Sequence, residues 1–436
     1  GISATTATVG TTIVVTLNGT ASIAAYQAAI QAIGYSSTSQ NPNTTPRVIE
    51  VTVNDGVFDS NVARTTVAVT SVNDAPVANA DTIFTNVTTA PFVVPEWALV
   101  ANDVDVDAAA LDITAVTVNT GSLGSVSLAT NPGSVTVTDN AAPGGSFTYT
   151  VNDGSGAANA TANATATVIR DVAGAIDGNN NANILVGDGA NTVFNGNGGN
   201  DIIFTGAGND TVDAGTGDDV MVWTVGDGRD FLNGANATAA GDLVRVEGNA
   251  ANEAFVVYSR AAALANGIGG LNAATEIVIT RNGAVIAELD NVEEIVINTG
   301  DGNDNVTTIG NFAPTSLNFN TITINGGAGN DTVNLSALAS AHRIVFRTNG
   351  GNDTIVGTLR PQDVIELPTG SDAASYVRTF DPVTGLSTLS NGTHQVVFAG
   401  DFSPGVNVSA PPQPERGPFA LSERDLGGLK KLINGV

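Results

Sequence analysis

The run Gly199-Asn200-Asp201-Ile202-Ile203-Phe204-Thr205-Gly206-Ala207-Gly208-Asn209-Asp210-Thr211-Val212-Asp213-Ala214-Gly215-Thr216-Gly217-Asp218-Asp219-Val220-Met221 writes one phrase three times, with its aspartates nine residues apart. The phrase is Gly-[Asn/Asp]-Asp-x-aliphatic. Its Gly-x-Gly half makes a tight turn with exposed carbonyls, which most side chains would obstruct. The Asp supplies a carboxylate, and the aliphatic residue two places later begins a short strand and points inward. One nonapeptide cannot bury its own apolar residue, so such units must stack into a parallel coil. Stacked turns offer a hard cation about six oxygens from carbonyls and carboxylates, which is calcium chemistry.

The phase extends back through Asn183 and Thr192, with Leu185 and Phe194 in register, so five consecutive nonapeptides cover 178–222. Three further copies stand at Gly302-Asn303-Asp304, Gly329-Asn330-Asp331 and Gly351-Asn352-Asp353, their aspartates 27 and 22 residues apart. Longer excursions must interrupt those turns. Gly228-Arg229-Asp230-Phe231-Leu232 reads as a degenerate seventh copy. A single Gly-Asn-Asp triplet in a Gly- and Asn-rich protein is no more than a turn, but six copies, several in strict phase, are not. The expected ligands of several calcium ions are Gly199, Asp201, Gly206, Gly208, Asp210, Gly215, Gly217, Asp219, Gly302, Asp304, Gly327, Gly329, Asp331, Gly351 and Asp353.

Composition agrees. The chain has 42 acidic and 15 basic residues, a net charge of -27, which disfavours nucleic acid and an anionic membrane surface and favours divalent cations. There is no cysteine, so stability outside a cell must come from something other than disulfides. Fifty glycines and 5% aromatics suggest short strands and tight turns. No apolar run reaches the roughly 18 residues needed to cross a bilayer. The chain starts at Gly1 within strand-like sequence, which reads as a fragment or a processed product.

The expected fold is all-β: tandem β-sandwich modules, then a parallel β-roll or β-helix-like calcium-binding region, then a C-terminal tail. Residues 1–75 form a partial sandwich, with one helix capped by Ser22 whose apolar face is Ile23, Tyr26, Ile30 and Ile33. Residues 76–171 form a second sandwich behind the stiff junction Val72-Asn73-Asp74-Ala75-Pro76-Val77. Residues 172–236 are the roll, 237–299 a β-rich insertion, 300–360 further repeat turns, and 361–436 a β cap and tail. The insertion carries a hairpin about Asn282-Gly283, and a second Asn-Gly turn lies at Asn391-Gly392. The tail ends in an amphipathic helix with Leu426, Leu429, Leu432 and Ile433, opened by Ser422 and Asp425. Asp103, Asp105 and Asp107 alternate with valine; on a strand they would share a face and repel unless a cation sits there, and otherwise they form a solvated loop edge, while Asn73, Asp74 and Asp81 offer a similar site between modules. No catalytic constellation is evident: His342 and His394 stand without His-Glu-x-x-His or cysteine partners, and no Gly-x-Ser-x-Gly elbow occurs.

Gly326-Gly327-Ala328-Gly329-Asn330-Asp331-Thr332-Val333-Asn334 resembles, at every position, the nonapeptide of RTX (haemolysin-type) calcium-binding proteins. The resemblance covers about 178–232 and 299–357. It implies that the Asp carboxylates and loop glycine carbonyls named above ligate calcium between successive turns, and Asn183 and Thr192 depart from that pattern. Leu17–Ile30 with Val51–Gly56, and Asn73–Asp81, Leu99–Asp107 and Phe147–Gly154, look like bacterial cadherin-like repeats, such as are strung in tandem in surface proteins and adhesins. The resemblance implies a bacterial, secreted protein that leaves by type I secretion with an uncleaved C-terminal signal after about residue 400, and folds on meeting calcium. A structural or adhesive, non-enzymatic role at the cell surface follows, with self-assembly or cell-surface and matrix components as partners. The run from His342 to Gly357 is similar to tails of large RTX proteins carrying a haem-peroxidase domain, so an accessory region of a secreted enzyme is the alternative, with an S-layer or filament subunit as a third.

Overall fold

The computed structural model describes residues 1–408, except 10, 11, 89, 109, 122, 131, 132, 140–143, 238–240 and 319–321. The amphipathic tail helix expected around Ser422 to Ile433 lies outside the described residues. The chain divides into Gly1–Asp74 and Ala75–Val436.

In the first unit, Ser3–Val9 pairs antiparallel with Thr12–Asn18, and Arg47–Val51 with Ala63–Val67. Between them runs a helix, Ile23–Gln31, whose N-cap Ser22 accepts a hydrogen bond from the Ala25 N–H as the sequence suggests. Its apolar face finds no cover: Ile23 is 80% exposed, and no described residue of the unit is buried.

The second unit is organised by two thirteen-stranded sheets. The first sheet begins as one layer of a sandwich, from Asp112–Gly121 through Gly144–Asn152 and Thr161–Arg170 to Asp81–Thr85. It then continues into the roll through Ile184–Val186, Ile202–Phe204, Val220–Thr224, Leu243–Glu247, Glu294–Asn298, Ile322–Asn325, Ile344–Arg347, Val364–Leu367 and Gly405–Val408, all parallel. The second sheet faces it from the other side of the roll, from Ile176–Asp177 to the C-terminal strands Gln395–Ala399, Leu386–Ser390 and Val377–Asp381. The first coils each contribute one strand to each sheet and consume two nonapeptides, whereas the coils ending at Glu294–Asn298 and Gly405–Val408 each give three strands to the second sheet.

Parallel register stacks like on like. Inside the roll Leu185, Ile203, Met221, Val244, Ile295, Ile322 and Ile344 lie on one another in the first sheet. Ile176, Phe194, Val212, Leu232 and Leu289 do so in the second. Phe255, Val306, Val333, Ile355 and Phe398 form a further stack. All belong to one buried core. Full burial of each such side chain is worth about 1.5–3 kcal/mol, which a lone three-residue strand could not secure.

Residues 237–299 supply strands within the two sheets. Leu243–Glu247 and Glu294–Asn298 extend the first sheet. In the second sheet the antiparallel strand Ile277–Arg281 sits between Ala254–Ser259 and Ala284–Asp290. Asn282 and Gly283 turn this hairpin at φ of +50° and +82°, the geometry of a two-residue type I′ turn.

The sandwich closes with Pro91–Pro95, Gly133–Asp139 and Leu123–Thr130 as its second layer. Its core is shared with the roll: Ile83, Val94, Val137, Phe147 and Val168 cluster with Ile184, Val186, Ile202, Val220, Val222 and Leu243 on the outer face of the first sheet. Trp97 seals this contact against Phe204, 5.8 Å between ring centroids, with the Arg245 guanidinium 4.8 Å from its centroid.

Two carboxylate ladders as a candidate metal centre

Glycine-rich loops join the strands, and the nine glycines read as ligands, Gly199, Gly206, Gly208, Gly215, Gly217, Gly302, Gly327, Gly329 and Gly351, all have positive φ. Gly329 shows why. Its φ is +148°, and a Cβ there would fall 1.4 Å from the Gly302 carbonyl oxygen one coil away. Loop carbonyls thus pack directly on the next loop, close enough to be shared.

Immediately before many of the roll's strands sits a side chain that bonds the neighbouring coil. Along the first sheet the Asp201 Oδ1 accepts the Asn183 N–H at 2.8 Å, Asp219 the Asp201 N–H at 2.7 Å, Asp242 the Asp219 N–H at 2.8 Å, and Glu293 the Asp242 N–H at 2.8 Å. Along the second, Asp210 accepts from Thr192 at 2.6 Å and Asp230 from Asp210 at 2.9 Å. Farther on, Asp304 accepts from Glu253, Asp331 from Asp304 and Asp353 from Asp331, at 2.7–2.9 Å. Motif aspartates nine residues apart therefore lie on opposite edges of the roll: Asp201 and Asp219 on one, Asp210, Asp304, Asp331 and Asp353 on the other. Each is followed two places later by a core residue: Ile203, Val212, Met221, Val306, Val333 or Ile355.

The second oxygen of these carboxylates is the chemically telling atom. Oδ2 of Asp201, Asp210, Asp219, Asp242, Asp304, Asp331 and Asp353 is buried and has no hydrogen-bond partner, although the His394 Nε2 stands 3.5 Å from that of Asp353. At Asp201 and Asp331 the glycine five positions earlier leaves room for it: a Cβ on Gly196 would lie 2.6 Å from Asp201 Oδ2, and one on Gly326 2.5 Å from Asp331 Oδ2. Buried anions without partners are costly, and the protons say so. Burial pushes the Asp201 carboxyl up to about 8, with help from Asp219, and Asp242 to about 8. Asp210, Asp219 and Asp331 rise to about 7 and Asp230 to about 6, chiefly through burial, while Asp304 is raised for the same reason.

The residue before each ladder carboxylate forms a parallel track. Asn191, Asn209, Asn303 and Asn330 each accept, through Oδ1, an N–H of the following coil at 2.7–2.9 Å, and Asn200 accepts the Asp218 N–H at 3.1 Å. This is what the Asn of Gly-Asn-Asp does. Asn183 and Thr192 stand at the top of the two ladders and donate their N–H groups without contributing a carboxylate.

Asp242, Glu253, Glu293 and Asp363 occupy rungs that the motif did not reveal. The available signal was an acidic residue two places before a buried aliphatic or aromatic one, as in Gly241-Asp242-Leu243-Val244 or Gln362-Asp363-Val364-Ile365. Among the described residues no three His, Asp or Glu side chains converge as a ready-made metal site. A cation in the ladders must therefore complete its shell with loop carbonyls, which suits calcium and not a metal that needs nitrogen or sulfur. The orphaned oxygens and the glycine cradles fit that ion.

The acidic run of the sandwich behaves differently. Asp105 Oδ1 accepts the Asp107 and Ala108 N–H groups at 2.7 and 2.8 Å, so it organises a turn and the three aspartates do not share a strand face. Asp103 instead joins Asp81 about the Tyr149 hydroxyl, which lies 2.7 Å from Asp81 Oδ2 and 3.4 Å from Asp103 Oδ2. Burial raises Asp81 to about 8 and Asp103 to about 6.

Comparison with known families gives two matches. Residues 73–169 match the bacterial Ig domain, the sandwich that the sequence likens to cadherin-like repeats. Residues 186–221 and 323–337 match the RTX calcium-binding nonapeptide repeat (4 copies). No curated protein matches the chain. The RTX repeats bind calcium ions, and the chain carries them in a β-roll that follows a bacterial Ig domain.

Proposed function

We propose that this chain is an extracellular, calcium-dependent structural or adhesive element whose roll folds when its carboxylate ladders meet calcium outside the cell. The observation that carries the reading is the set of buried ladder oxygens left without a hydrogen-bond partner. Inside a bacterium free calcium is very low, and mutual repulsion among these aspartates opposes the roll and keeps the chain exportable. Outside, calcium joins Asp201, Asp219 and Asp242 on one edge, and Asp210, Asp304, Asp331 and Asp353 on the other, through one carboxylate oxygen each and the carbonyls of Gly199, Gly206, Gly208, Gly215, Gly217, Gly302, Gly327, Gly329 and Gly351. With a Kd of ~0.1 mM and ~2 mM calcium, each filled site adds about 1.8 kcal/mol, so six would add about 10 kcal/mol. That equals the net stability of an ordinary domain.

RTX-repeat proteins are typically secreted by the type I route, and no helix among the described residues is long and apolar enough to cross a membrane. We place the working protein at a bacterial surface, with other copies or matrix components as its partners. A calcium titration followed by circular dichroism, with magnesium as the control ion, tests the reading. Cooperative gain of β signal with calcium alone supports it, and an unchanged fold in EGTA refutes it.

A further inference from the structure

Two rungs carry an arginine of the same chain. Glu253 stands at a ladder position: its side chain is fully buried, its N–H bonds Asp304 Oδ1, and its Oε2 accepts the Asn249 N–H at 2.9 Å. Its Oε1 is not orphaned, because the Arg281 guanidinium bonds it from the neighbouring hairpin. Asp363, also fully buried, accepts the Ile344 N–H at 2.9 Å and is held by Arg360, whose Nη2 lies 2.8 Å from Oδ1 and whose Nε lies 3.0 Å from Oδ2. Arg360 is fixed in turn by the carbonyls of Ser340 and His342. Neither Glu253 nor Asp363 has an unpartnered oxygen, in contrast to the seven aspartates above, of which only Asp353 faces a basic side chain, His394 Nε2 at 3.5 Å, a group charged only when protonated.

We propose that the roll supplies its own cations at these two rungs, with Arg281 and Arg360 standing where other rungs take calcium. The calcium requirement is then confined to the rungs at Asp201, Asp219 and Asp242, at Asp210, and at Asp304, Asp331 and Asp353, and the Asp219–Asp242 step is a calcium site outside the nonapeptide motif. The inference rests on the calcium reading of the ladders and adds to it a division of labour. A guanidinium can replace the ion because it is always charged and donates in a plane to a carboxylate. The hairpin that carries Arg281 interrupts the parallel run of the second sheet at just this rung. On this account the coils at 249–298 and 343–367 keep local order without metal, and serve as fixed points from which the calcium-bound coils close.

Hydrogen–deuterium exchange of the full chain in EGTA and in millimolar calcium tests this. Calcium should slow exchange at Asn183, Thr192, Asp201 and Asp219, while Asn249 and Ile344 stay protected in both conditions. In Arg281→Gln, exchange at Asn249 in EGTA should accelerate roughly hundredfold, the scale for stripping one partner from a buried ion pair. Calcium should restore it, with one more ion bound per chain by equilibrium dialysis. Glu253→Gln/Arg281→Gln, which removes both charges, should again be protected without calcium. If wild-type Asn249 and Ile344 lose protection in EGTA as fully as Asp201 does, the inference falls. It also falls if Arg281→Gln leaves Asn249 unchanged, or if the double variant is as exposed in EGTA as the single one. If calcium slows exchange nowhere in the wild type, the calcium reading itself fails, which is a separate result.

Discussion

Replacing Asp331 with Asn separates the ladder account from ordinary packing, because the sign of its effect should depend on calcium. Asp331 is 3% exposed, and its Oδ1 accepts the Asp304 N–H at 2.9 Å while Oδ2 has no partner. Burial first, then Asp353 and Asp304, raises this carboxyl from 3.8 to about 7. Above that pH the ionised group is about 4 kcal/mol less favourable in the fold than in the unfolded chain. Asn keeps an acceptor for Asp304 and carries no charge, at a cost of about 1 kcal/mol for the weaker bond. In EGTA at mildly alkaline pH the variant should therefore be about 3 kcal/mol more stable than the wild type. With calcium the variant loses a ligand, and the calcium-dependent gain should shrink by about 2 kcal/mol for each site lost. Urea melts of both proteins with and without calcium, followed by circular dichroism, measure both quantities. An Asn variant that is weaker in EGTA, or that keeps the full calcium response, would refute the reasoning.

Three other outcomes follow from the same geometry. In EGTA the roll should lose stability as pH rises: folded carboxyls held at about 6 to about 8 lie above their unfolded 3.8, so stability is full below about pH 4, declines from there, and levels off above about pH 8; melting midpoints across pH check this, and calcium should abolish the decline. Gly326→Ala should weaken calcium binding and cost at least about 2 kcal/mol in the calcium-bound state, since its Cβ would meet Asp331 Oδ2 at 2.5 Å; a calcium titration of the variant reads it. Ile83→Ala should cost about 2–5 kcal/mol and lower the melting of sandwich and roll together, because Ile83 is fully buried and pairs with Ile184; two separate calorimetric transitions would count against a shared core.

The first five nonapeptides were legible because a rigid spacing of nine leaves no freedom: Asp201, Asp210 and Asp219 had to recur with Ile203, Val212 and Met221 in phase. The sequence could not show that neighbours in the chain stand on opposite edges, since that depends on one coil using two units. The spacings of 27 and 22 residues between Asp304, Asp331 and Asp353 become intelligible only when the first-sheet strands Ile322–Asn325 and Ile344–Arg347 are seen between them. Asp242, Glu253 and Asp363 escaped notice because their loops lack the Gly-Asn-Asp spelling. A rung needs only a carboxylate before a strand and a cation from somewhere, and Arg281 or Arg360 can be that cation from outside the nonapeptide. At Asp105 the loop alternative holds for a local reason: a side chain that can accept two N–H groups of its own loop bends the chain before a strand can form.

The continuity of the first sheet gives the sandwich a role that a string of modules would not. A parallel roll exposes a strand edge at each end, and an uncovered edge recruits other chains. Here Asp81–Thr85 lies between Thr161–Arg170 and Ile184–Val186 and pairs parallel with both, so the roll's first strand in this sheet is laid on an edge already formed. The sandwich is held by ordinary apolar burial around Phe147 and Val137, and its buried Asp81 bonds the Tyr149 hydroxyl and not a ladder. It can therefore be present before calcium is, and the first coil then needs to close only against a fixed neighbour. If calcium joins stacked loops as proposed, the cost of starting a coil falls on the hydrophobic contact of Ile184 and Val186 with the sandwich core. On that reading calcium is left with the task of propagating order from one coil to the next.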